Sequence, residues 1–99
     1  MLPVIWLASA AADLIEIVRY IAAENPVAAR KLKQRIEDAV VPLSEHPYLY
    51  RSSERVPGVR EMVVHPNYLV FYRVTHVNIE IVAVVHARRE YPNNTGAPI

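Results

Sequence analysis

The chain has 99 residues, 53% of them apolar and 21% charged, with a formal net charge of +1. That length suits one domain with one core, and the composition excludes global disorder. Without cysteine there is neither a disulfide framework nor a thiolate metal site, and so small a net charge does not by itself predict nucleic-acid binding.

Taken in order, Pro3 to Leu7 (PVIWL) is short, apolar and aromatic and reads as a first strand, with Pro3 suited to an edge. The opening MLPVIWLASAAADL is apolar, but it lacks a basic leader and Asp13 and Glu16 follow at once. It therefore reads as strand and helix, not as a signal peptide, and the expected location is cytoplasmic. Ser9 stands where an N-cap belongs, and Asp13 lies in the first turns, favourable to the helix dipole. Leu14, Ile17, Val18 and Ile21 then give the i, i+3, i+4, i+7 stripe of a helix of about four turns.

Asn25-Pro26 closes that helix and opens another, because Asn caps well and Pro is tolerated at the first helical position. Ala29, Leu32, Ile36, Ala39, Val40 and Leu43 form the second stripe, with Pro42 set to stop or kink it. A junction this short predicts an antiparallel helical hairpin. Ser44 to Ser53 has no periodicity, and Val56-Pro57-Gly58 signals a turn.

Three strands follow, over Val59 to His65, Tyr68 to Thr75 and Asn78 to Arg88. Strict alternation in the last sends Ile79, Ile81, Ala83 and Val85 one way and Glu80, Val82, Val84 and His86 the other. It is apolar on most of both faces, as expected where helices cover one side. The expected fold is α+β in two layers: an N-terminal edge strand and a helical hairpin packed on a small antiparallel sheet, in the order β-α-α-β-β-β. Residues 1–92 make the domain, and 93–99 carry no core signal and read as a frayed tail.

Four histidines raise metal and general-base chemistry, but none has the HxH or HExxH spacing, and no metal or cofactor is expected. His86 ends the last strand two residues before Arg88, on the same face by alternation, where an imidazole near Arg88 and Tyr91 can act as acid or base. The competing reading packs His86 on the neighbouring strand without chemistry. Arg51, Arg55, Arg60, Arg73 and Arg88 can line a groove for phosphates or acidic groups, or else pair with Glu54, Glu61 and Glu80.

Three blocks carry a family resemblance: ADLIEIVRYIAAENPVAARKL, RVPGVREMVVHPNYLVFYRV and IEIVAVVHARREYP. From Trp6 to Pro92 they resemble the RelE/ParE superfamily of bacterial toxins from type II toxin–antitoxin modules. The resemblance implies a growth-inhibiting toxin neutralised by a cognate antitoxin, which alone contacts operator DNA. ParE-like members poison DNA gyrase and have no accepted catalytic residues; RelE-like members cut mRNA on the ribosome with basic side chains and a C-terminal aromatic.

The ENP junction, the VPGVRE turn and the HARREYP ending lean towards ParE. The lysines that RelE-like enzymes place on the preceding strand correspond here to Glu61 and Val63, and Tyr68 is followed by Leu69 in place of a base. The expected function is therefore gyrase inhibition, with Arg51, Arg55, Arg60, Arg73, Arg88, Arg89 and Tyr91 binding the target. The alternatives are a ribosome-dependent mRNA endoribonuclease using Arg88, His86 and Tyr91, or a non-toxic homologue that only binds its antitoxin. The antitoxin is expected on the helical hairpin or a sheet edge, and no membrane partner is expected.

Overall fold

Two short periodicities build the whole molecule, which a computed structural model describes for residues 1–88. The alternating segments become β1 (Val4–Trp6), β2 (Arg60–His65), β3 (Tyr68–Val74) and β4 (Ile79–His86), and the helical stripes become α1 (Ala8–Ala22) and α2 (Pro26–Val40). A 3-10 turn, Val41–Ser44, follows α2 and contains Pro42, which ends the α-helical hydrogen bonding as its missing N–H requires. Asn25 caps α2 as expected, its side chain accepting from the Ala28 N–H at 3.0 Å with Pro26 at the first position.

The strand order is β1-β4-β3-β2. β2, β3 and β4 form the expected antiparallel meander, while β1 joins β4 at the sheet edge in parallel, so the sheet is mixed. Both helices cover one face. There Leu14, Leu32, Ile36 and Val40 meet Met62, Val70, Tyr72, Ile79, Ile81 and Val84. Each fully buried aliphatic in this layer contributes about 1.5–3 kcal/mol relative to exposure. The other face carries a smaller cluster of Val59, Leu69, Phe71, Ala83 and Val85, with Val56 packed against it. The connection that supplies Val56 and Val59 turns at Gly58, whose φ of +84° is open to glycine at little cost.

Strict alternation fails in β4. Phe71 pairs with Ala83 but Tyr72 pairs with Ile81, so Val82 is an extra residue in the ladder. Ile79 and Ile81 therefore face the helices while Ala83 and Val85 face away, and Val84 and His86 join the helix side. The bulge inverts the second half of the expected pattern. A second irregularity lies between Val63 and His65, where Val64 has no partner in the β2–β3 register.

Helix side chains satisfy the backbone groups these irregularities expose. Ser9 Oγ donates to the Val82 carbonyl at 2.7 Å, Asp13 Oδ2 accepts from the Val84 N–H at 3.0 Å, and Arg35 Nε donates to the Val64 carbonyl at 2.8 Å. Ser9 is thus no N-cap. Leu7 occupies that position without a side-chain cap, and no acid lies in the first turn of α1. The expected capping by Ser9 is overturned, and Asp13 lies beyond the first turn and binds the strand, because β4 extends past the short β1 and needs partners for its open edge.

Candidate functional site

The sheet has two ends that carry the candidate residues, and the β3 register separates them. Arg60 pairs with Tyr72 and Glu80 with Arg73 at one end; Tyr68 pairs with His86 at the other. The four steps from Tyr68 to Tyr72 span roughly 13 Å of strand.

At the first end the arginines are engaged. Glu61, with a side chain only 8% exposed, takes Arg51 Nη2 at 3.2 Å and Arg55 Nε at 3.8 Å, and Ser53 Oγ donates to it at 3.2 Å. Arg73 pairs with Glu80, its Nε at 2.9 Å. Arg60 donates Nη1 to the Tyr50 carbonyl at 2.6 Å and lies 4.9 Å from the Tyr48 ring centroid. Beside it, the Tyr72 hydroxyl donates to the Pro47 carbonyl at 2.9 Å. Burial pushes the Tyr72 hydroxyl above its ordinary value, against the opposing effects of a backbone hydrogen bond at Tyr50 and the Arg60 charge.

At the second end, α1 and the ends of β3 and β4 enclose a groove of about 540 Å³. Asp13, Glu16, Ile17 and Tyr20 form its helical wall, and Tyr68, Val84, Val85, His86 and Arg88 form the rest. His86 packs on the neighbouring strand, its ring edge-on to Tyr68 with centroids 5.2 Å apart. Its Nδ1 accepts from the Arg88 N–H at 3.2 Å, which leaves Nε2 as the nitrogen that carries the proton in a neutral ring. Burial, with Tyr20 adding to it, raises the Tyr68 hydroxyl above its ordinary value and keeps it protonated. A second groove, of about 440 Å³, shares Tyr68 and is edged by Lys31, Arg35 and His65.

Of the residues picked out in the sequence, Arg51 and Arg55 therefore meet on Glu61, Arg60 and Arg73 lie near the same end, and Arg88 stands with His86 at the other. Arg89 and Tyr91 lie outside the described residues. Glu61, Glu16, Tyr20 and Tyr68 complete the two ends; Glu61 had a signal as an available partner for arginine and Tyr68 as the tyrosine that opens its strand, whereas Glu16 and Tyr20 had none. Among the described residues no three His, Asp or Glu side chains come close enough to hold a metal ion, and no helix is long and apolar enough to cross a membrane.

Comparison with known proteins agrees with this architecture. Residues 4–91 match the family model described as the ParE toxin of the type II toxin–antitoxin system parDE. A Caulobacter vibrioides protein named Toxin RelE2 is 36% identical over 89 residues, covering 90% of this chain and 99% of that one. A solved chromosomal ParDE system from P. aeruginosa contains a chain 31% identical, with a TM-score of 0.77 over 87% of this chain and 96% of that one. The YoeB dimer from Staphylococcus aureus shares the fold at a TM-score of 0.55 and 15% identity, over 83% of this chain and 92% of that one. This chain belongs to the ParE toxin family of type II toxin–antitoxin systems, within the RelE/ParE superfamily.

Proposed function

We propose that this toxin arrests growth by binding a protein target, DNA gyrase, and that it does not cleave RNA. The carrying observation is electrostatic. Cutting a phosphodiester needs unpaired cations around the scissile phosphate, together with an acid and a base. Here the single carboxylate of Glu61 offsets one of the two charges of Arg51 and Arg55 and Glu80 offsets Arg73, while Arg88 shares its groove with the carboxylates of Asp13 and Glu16. A polyanion entering that groove meets repulsion from one wall. The family match and the ParDE neighbour carry ParE names, and the Caulobacter relative carries a RelE name.

As a family member the toxin has a cognate antitoxin for a partner, and its place of action in this reading is the cytoplasm, where gyrase works. The ribonuclease reading keeps one observation in its favour: His86 Nε2–H, the protonated Tyr68 hydroxyl and Arg88 line one groove. Expression without the antitoxin separates the readings. Filamentation and the SOS response with translation continuing are expected for gyrase poisoning. A rapid stop in translation without SOS overturns it, and absence of any arrest favours a homologue that only binds its antitoxin.

A further inference from the structure

The connection from the 3-10 turn to β2 exposes two large apolar side chains in succession, Tyr48 at 66% and Leu49 at 60%. Their exposure is built. The cross-strand pair Arg60 and Tyr72 holds the backbone on either side of them, Tyr72 through the Pro47 carbonyl and Arg60 through the Tyr50 carbonyl. Tyr72 is itself fully buried, so the anchor is part of the core. The Arg60 guanidinium lies over the Tyr48 ring, and the Leu49 N–H donates to the His46 carbonyl at 3.2 Å. A buried tyrosine and a half-buried arginine thus tether the backbone on both sides of one exposed dipeptide. Next to it stands Arg51, 71% exposed and steadied by Glu61 through one Nη.

We propose that Tyr48 and Leu49 form a docking knob for the protein this toxin inhibits, entering an apolar pocket with a carboxylate at its rim that meets Arg51. Tyrosine and arginine are the side chains most often found at the energetic centre of protein interfaces. A loop already fixed in its bound shape loses little entropy on binding. The knob is convex, so its partner must be concave. A folded protein has a preformed pocket, whereas an extended wrapping segment fills grooves, and both grooves of this molecule border Tyr68 at the other end of β3.

The inference rests on the reading that the target is a protein, and the test keeps the two apart. Full-length toxin carrying Tyr48→Ser and Leu49→Ser is compared with the wild type for growth arrest, inhibition of gyrase supercoiling, antitoxin affinity, melting temperature and sedimentation. The double variant is expected to need roughly tenfold or more toxin for half-inhibition, as loss of an interface centre implies, and to arrest growth correspondingly less. Antitoxin affinity, melting temperature and oligomeric state should be unchanged. Tyr72→Phe, which leaves the knob in place but removes one tether, should weaken inhibition by a smaller factor.

Growth arrest by the double variant equal to the wild type overturns the proposal. So does a loss confined to antitoxin binding, a change of oligomeric state, or a defect in binding RNA. If the wild type arrests growth but leaves supercoiling intact, gyrase is the wrong target, and the knob is then judged by growth arrest alone.

Discussion

Asp13 Oδ2 lies 3.0 Å from the Val84 N–H, joining α1 to β4 across 71 positions of sequence. The bond supplies an acceptor to a strand edge that β1 is too short to pair. Replacing Asp13 with Ala leaves a part-buried donor without this partner, a loss of about 1–3 kcal/mol. In a domain this small, that corresponds to a fall of several degrees in melting temperature at about 4–8 °C per kcal/mol. Asp13→Asn keeps an acceptor and should lose less. Calorimetry of the two variants checks the order.

Glu61 should act as the fastener of the segment from Arg51 to Val59. Glu61→Ala releases Arg51, Arg55 and Ser53 together. Because the arginine ends are well exposed, the ion-pair contribution is screened, and the total loss should be about 1–2 kcal/mol. Trypsin should then cut after Arg51 and Arg55 faster than in the wild type, while urea unfolding reports the stability change.

The hydroxyls of Tyr68 and Tyr72 both sit above the ordinary value of 10.0, chiefly through burial. The folded chain therefore holds these protons at a pH where the unfolded chain has begun to lose them. Their contribution to stability is complete below pH about 10 and is lost as pH rises through the raised values. Urea midpoints measured between pH 8 and roughly 11 should fall at the alkaline end. Tyr68→Phe and Tyr72→Phe should each flatten that fall.

Arg88 is exposed at the rim of the α1–β4 groove and has no side-chain ion pair with the described residues. In the proposed mode of action it contacts the target. Arg88→Ala should abolish or greatly weaken growth arrest, with stability changed by no more than about 0.5 kcal/mol, as for an exposed side chain without partners. Antitoxin binding measured by calorimetry should persist. Full toxicity of this variant would exclude Arg88 from the interface.

The sequence by itself determined the elements and their order. The stripe from Leu14 to Ile21, the Asn25-Pro26 junction and the alternation in β2 and β3 are written in residues three to seven apart or closer, so local periodicity is enough to read them. The family resemblance was legible for the same reason, because its blocks are runs of neighbouring residues. The tertiary structure alone decided the parallel pairing of β1, the inversion of the β4 faces at Val82, and the use of Ser9 and Asp13 as partners for the strand edge. It also decided which arginines are engaged, and it set Tyr48 and Leu49 outward on anchors from two other strands. Hydrogen bonds and ion pairs act at about 3 Å in space whatever the separation along the chain. A residue's partner more than 70 positions away has no local sequence signal, and folding has to bring the two together before either one's role exists.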